Sequence, residues 1–294
     1  VASGEGRVGE VLIGKYELCA FLEHGQYADF FRAKRNTDNL DVAIKILRPE
    51  LLGVPEAMKR FEREVRTLAR FKHPNLLRVF ALGRTEDGVP FVVTEYLEGR
   101  LLSHEISELS LSIDNICHVG VQIARLLAAT HTKGIVHRGL SPDSIYLVEE
   151  ENDRFRVKVL DFGLAHFTES AGEEGITKVG QRLGRCEYMA PEYIEAYTLD
   201  GKTDLYVLGV MLFEMLTGQP PFVGRSVAVM DKHLNETPWA PSEMSEHDVP
   251  PWLDDLILAL LAKKPEERPN DARDVALAFH QRTWPVAASP GAAP

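Results

Sequence analysis

His137-Arg138-Gly139-Leu140-Ser141-Pro142-Asp143-Ser144 follows a stretch of clear helical periodicity and is the segment from which the rest of the chain is most usefully read. Upstream, residues 112–131 set Ile113, Ile116, Ile123, Leu126 and Leu127 on one stripe of a helix. Downstream, residues 204–216 are apolar nearly all round, the pattern of a helix buried on every side. Within the segment itself Gly139 has no side chain to accept a proton, Ser141 brings no cation, and the one carboxylate is Asp143.

Further out, the two halves of the chain differ. Short β-rich segments at 16–22, 30–34, 41–46, 79–83 and 91–94 are separated by turn signals such as Glu86-Asp87-Gly88. One helical stretch interrupts them, 55–71, with Met58, Phe61, Val65 and Leu68 at helical spacing. After Gly99 the pattern is mostly helical. The fold class is α+β: a small antiparallel sheet with one main helix, then a larger helical part, with Glu98 and Gly99 at the hinge. The expected division is a tail over 1–12, a first part over 13–97, a second over 98–282 and a Pro/Ala linker over 283–294. The chain carries no internal repeat.

Composition narrows the partners. With 294 residues, 45% of them apolar, the chain can bury a substantial core. A net charge of -11 opposes nucleic acid and anionic membranes, which reward basic patches. Cys19, Cys117 and Cys186 lie far apart and match no zinc spacing, so reduced thiols in a cytoplasmic compartment are expected. The longest apolar runs, 207–213 and 256–262, fall short of the ~18 residues that cross a bilayer. The start at Val1 without a signal peptide and the linker-like end lead to the expectation of a domain from a longer protein.

Several short strings, in order, resemble the landmarks of the protein kinase superfamily, and Tyr188-Met189-Ala190-Pro191-Glu192 with Leu216-Thr217-Gly218-Gln219-Pro220-Pro221-Phe222 most resembles its bacterial Ser/Thr class. The landmark strings are Val42-Ala43-Ile44-Lys45, Arg63-Glu64, the loop at His137, Asp161-Phe162-Gly163, Ala190-Pro191-Glu192, Asp204-Leu205-Tyr206-Val207-Leu208-Gly209 and Glu267-Arg268-Pro269. The resemblance spans about 13–281 and implies the two-lobed kinase fold. It implies that Lys45 contacts the α- and β-phosphates of ATP with Glu64 as ion-pair partner. It further makes Asp161 the ligand of a single magnesium and Arg268 the partner of Glu192. Ala43, Phe30, Tyr146, Glu95 and Leu97 fall at the remaining nucleotide-site positions. Val79, Leu68, Phe162, His137 and Asp204 match the family's internal packing column.

The departures are as informative. Where the family has H-R-D-L-K-P-x-N, Gly139 replaces the proton-accepting Asp, Ser141 the Lys and Ser144 the metal-holding Asn. Arg185 stands where a small hydroxyl residue is usual. The glycine-rich turn reads Glu23-His24-Gly25-Gln26-Tyr27-Ala28-Asp29-Phe30 and keeps only its middle glycine. Phe30 and Tyr146 replace smaller residues of the adenine slot, and their rings either stack on the base, fill the slot or turn away into the core.

From these losses the sequence leads to the expectation of a pseudokinase: an inactive, cytoplasmic kinase-like module that regulates or scaffolds other proteins, with no required cofactor and at most weak ATP binding with one magnesium. The alternatives are a nucleotide-binding switch and an atypical Ser/Thr kinase with residual transfer. Protein partners are expected, with neither nucleic acid nor membrane insertion. An active kinase acting on Thr168, Ser170 or Thr177, with Arg138 receiving the phosphate, is one such partner.

Overall fold

The computed structural model describes residues 4–25, 27–54, 58, 61, 71–150, 154–160 and 186–285. The chain divides into two compact units, residues 1–99 with 159–164 and residues 100–158 with 165–294. Strands β1 (Val11–Leu12), β2 (Tyr16–His24), β3 (Ala28–Arg35), β4 (Leu40–Leu47), β5 (Val79–Arg84) and β6 (Pro90–Glu95) build the first unit. They form one antiparallel sheet in the order β1-β2-β3-β4-β6-β5.

Alternation along β4 gives the sheet its two faces. Val42, Ile44 and Ile46 are buried, and cross-strand pairing sets Ala33 and Phe31 beside the first two, with Val93 and Phe91 beside Ile44 and Ile46. Each of the valine, isoleucine and phenylalanine side chains contributes roughly 1.5–3 kcal/mol by leaving water. The opposite face follows from the same register: Phe30, Lys45 and Val92 form one row, and Arg32, Ala43 and Thr94 the next. Residues 4–12 contribute a 3-10 turn at Gly4–Arg7 and strand β1, whose Leu12 is buried. Of the helix expected over 55–71, Met58, Phe61 and Phe71 are described; Phe61 lies in the sheet's core and Met58 packs against it.

The second unit holds α1 (Leu102–Ser107), α2 (Ile113–His131), α3 (Pro191–Ile194), α4 (Gly201–Thr217), α5 (Ser226–Asn235), α6 (Pro251–Leu260) and α7 (Ala272–Gln281). A small sheet joins β7 (Arg100–Leu101), β8 (Ile145–Glu150) and β9 (Arg154–Val159) in that order. Ser112 starts α2 by accepting a hydrogen bond from the Asn115 amide at 3.2 Å, and Asp200 starts α4 by accepting from that of Lys202 at 2.8 Å. From Thr203 to Phe213 every residue of α4 is buried, as its all-round apolar sequence requires. Gly120 lets α2 and α7 meet, since a Cβ there would lie 2.5 Å from the Phe279 ring. Gln122 ties α2 to β9, donating to the Phe155 carbonyl (2.8 Å) and accepting from the Val157 amide (3.1 Å).

The α+β architecture expected from the sequence is present. Among the described residues no helix is long and apolar enough to cross a membrane. Cys19, Cys117 and Cys186 are free thiols, and burial pushes Cys117 up to about 11.

Candidate functional site

Asp204, in the first turn of α4, is fully buried and organises the loop around Gly139. Its carboxylate accepts from the His137 amide at 2.8 Å and the Arg138 amide at 2.9 Å, and His131 Nε2 lies 2.7 Å from its Oδ2. A ring nitrogen facing a carboxylate oxygen at that distance is a donor, so three N–H groups converge on Asp204. They hold Arg138 in the left-handed region at a φ of 63°, a conformation that costs a non-glycine residue about 1 kcal/mol or more.

Gly139 is exposed and its amide donates to His137 Nδ1 at 3.3 Å. Pro142–Ser144 then forms a 3-10 turn. Ser144 is buried, and its hydroxyl accepts from the Ser141 amide (3.0 Å) while donating to the Ser141 carbonyl (2.8 Å). That leaves one lone pair on Ser144 Oγ. Asp143 is exposed, and Tyr146 is half-buried on β8.

In the first unit, Lys45 and Phe30 are direct cross-strand partners, and the Lys45 ammonium lies 5.6 Å from the centre of the Phe30 ring. The ring also rests on Gly25, where a Cβ would come within 2.8 Å of it. Gly25 donates its amide to the Ala28 carbonyl at 2.9 Å, and His24 Nδ1 lies 2.8 Å from Asp29 Oδ1. The Asp29 carboxylate thus has a local hydrogen-bond partner, and Ala28 is buried rather than facing solvent. Ala43 occupies the next row of the same face. Glu95 is committed to Arg78, its carboxylate accepting from the Arg78 amide at 2.8 Å and its own amide donating back at 2.9 Å. Leu97, just beyond β6, is half-buried.

Structure therefore joins Arg138, Gly139, Ser141 and Ser144 in one loop, and Lys45 with Phe30 and Ala43 on one sheet face. Glu64, Asp161, Arg185, Thr168, Ser170 and Thr177 lie outside the described residues, as do Leu68 and Phe162 of the packing column. The Glu192–Arg268 pair implied by the resemblance is formed: two parallel bonds of 2.8 Å join the buried partners. His131 was not singled out from the sequence. Its one signal is a histidine ending the helix that precedes the loop.

The model of the protein kinase domain family matches residues 16–282. "Serine/threonine-protein kinase pkn3" of Myxococcus xanthus is 35% identical over 269 residues, 90% of this chain and 49% of its own length. "Serine/threonine-protein kinase PknB" of Mycolicibacterium smegmatis is 33% identical over 269 residues, 90% of this chain and 42% of its own. The chain thus spans half the length of these curated relatives or less. A crystal structure of the Mycobacterium tuberculosis PknI kinase domain superposes with a TM-score of 0.68 at 22% identity, covering 94% of this chain and 98% of that one, which shows the fold.

These relatives overturn the reading of a pseudokinase, and with it those of a non-enzyme and a scaffold, since both curated relatives are named serine/threonine-protein kinases. The physical reason is that phosphoryl transfer rests mainly on positioning and charge, and a single base contributes about 10²- to 10⁴-fold, so the changes at 139, 141 and 144 lower the rate without having to abolish transfer. With the family match running through both units, the chain belongs to the protein kinase family.

Proposed function

We propose that this domain is an atypical serine/threonine protein kinase, transferring the γ-phosphoryl group of ATP to a protein hydroxyl at a rate well below the usual range. The observation that carries the reading is the clamp on Asp204: its carboxylate, steadied by the His131 ring, holds two loop amides although the side chains at 139, 141 and 144 differ from the family pattern. The names of relatives at 33–35% identity point the same way.

Protein kinases use ATP with magnesium, and bound magnesium neutralises charge on the phosphates. Lys45 would hold the α- and β-phosphates, and Asp161 would be the metal ligand. Ser144 fits a second magnesium poorly, because its hydroxyl proton and one of its two lone pairs are engaged with Ser141 and the residue is only 6% exposed. One metal ion at most is therefore assigned. The acceptor oxygen forms its bond to the γ-phosphorus as ADP departs, and without a carboxylate at 139 its proton leaves to water or to the product phosphate. Losing about 10²- to 10⁴-fold from a typical ~1 to 100 turnovers per second leaves a slow enzyme.

Its partners on this reading are a protein substrate and an active kinase that phosphorylates Thr168, Ser170 or Thr177, with Arg138 pairing the added phosphate. The test is label transfer from γ-labelled ATP to a generic Ser/Thr protein by the purified domain. Slow transfer that disappears in both Lys45→Met and Asp161→Asn is expected. Transfer at background level in all three proteins contradicts the assignment.

A further inference from the structure

We propose that Phe30 gates the phosphate end of the nucleotide site: its ring, seated on Gly25 and against the Lys45 ammonium, has to swing aside before phosphates reach Lys45. The inference rests on the kinase reading above and adds to it the residue that sets nucleotide affinity.

Three observations converge. Phe30 and Lys45 are paired across β3 and β4, so their side chains leave the sheet on the same face. The ammonium lies 5.6 Å from the ring centre, within the range of cation–π attraction. The Cε2 edge of the ring is lodged where Gly25 lacks a side chain, 2.8 Å from the position a Cβ would take. Phe30 is thus held by two contacts, the charge it faces and the glycine it covers.

The turn beneath the ring is closed by its own bonds. The Gly25 amide is spent on the Ala28 carbonyl, His24 and Asp29 face each other across the strands, and the Arg48 amide donates to the Tyr27 carbonyl at 3.0 Å. Phosphate and ring accordingly compete for one ammonium. A part-exposed cation–π contact is worth about two- to fivefold in an equilibrium, and moving the ring off Gly25 raises the cost, so removing the ring should tighten binding about tenfold. The valine found in the family at this position has no π-face and is too short to span from Gly25 to Lys45.

The competition concerns phosphates and not the base, which gives the test its contrast. Calorimetric titration of the domain with Mg-ATP, Mg-ADP and adenosine is compared among wild type, Phe30→Val and Phe30→Leu, with a thermal melt of each to verify folding. The gate predicts about tenfold tighter ATP and ADP in both variants, with adenosine changed less than twofold. If wild type binds ATP and neither variant binds it more tightly, the gate is wrong while the kinase reading stands. Equal gains for adenosine place the ring against the base and overturn a phosphate gate. ATP failing to bind all three proteins at millimolar concentration overturns the nucleotide reading, and the gate with it.

Discussion

The Glu192–Arg268 pair and the loop at 137–144 are both tightly held, but different atoms carry the bonds. At Arg268 the side chain does so: its five N–H groups reach Glu192 twice and the carbonyls of Ala262, Lys202 and Lys263 once each. Burial pushes the Glu192 carboxyl up, yet the hydrogen bonds and charge of Arg268 outweigh it and hold the group below its ordinary range. In the loop the backbone does the binding, through the amides of His137, Arg138 and Gly139. A backbone clamp is indifferent to side-chain type. That explains how Gly139 and Ser141 can depart from the family pattern in a loop that keeps its shape, while Glu192 and Arg268 match it.

The comparison is broken most directly at Arg268. Arg268→Ala strands a buried carboxylate and three carbonyls, and removing one partner of a buried pair costs about 3–5 kcal/mol. Urea unfolding measures it. Arg268→Lys should recover less than half, because an ammonium cannot reproduce the planar fork. A loss under about 1 kcal/mol in Arg268→Ala would mean the pair is not what its geometry indicates.

Asp204→Ala tests the backbone side. Two loop amides and His131 would lose their acceptor, and the left-handed Arg138 its restraint. A loss of about 3 kcal/mol is expected, with label transfer falling as well. Full stability retained in this variant would show that the loop holds itself.

Next in size is an effect of pH. Tyr206 lies beneath the Arg268 guanidinium, 4.8 Å away, and its hydroxyl is 2.8 Å from Nδ1 of the fully buried His233. Burial first, and the charge of Lys263 second, pull His233 down to about 4 from 6.5. Between those values the unfolded chain binds a proton that the folded chain refuses, so stability falls as pH falls through the window. From pH 7 to 5 the loss should be about 2 kcal/mol, and His233→Asn should flatten it. Equal pH slopes in the two proteins would show that His233 titrates normally in the fold.

How much of this was legible beforehand depended on what each residue's role rests on. Alternation in Val42-Ala43-Ile44-Lys45 and the all-round apolar run of α4 are periodicities, and periodicity is what sequence displays. The Glu192–Arg268 pair followed from family spacing. Strands β1 and β7, two residues each, are too short to carry a pattern, and His131 meets Asp204 across 73 positions of chain. The direction of the Phe30 ring is a rotamer choice that sequence does not display; in the structure the ring sits at the missing Cβ of Gly25 and beside the Lys45 ammonium. Gly139 misleads for another reason: a sequence shows that a base is missing but not how much of the rate depends on it.

The smallest effect probes where the two kinds of bonding meet. Ser144 binds through its side chain, but only to the backbone of Ser141, so Ser144→Ala removes one acceptor and one donor from a buried turn. The Ser144 amide still reaches the Ser141 carbonyl at 3.0 Å, which keeps that carbonyl satisfied; the Ser141 amide is the group that loses. A cost of about 1 kcal/mol in unfolding free energy is therefore expected. Because the hydroxyl is turned to Ser141 and the residue is buried, the dependence of label transfer on magnesium concentration should not shift. A marked rise in the magnesium required, with little change in stability, would instead make Ser144 a metal ligand, and the assignment of at most one metal ion to the domain would fall.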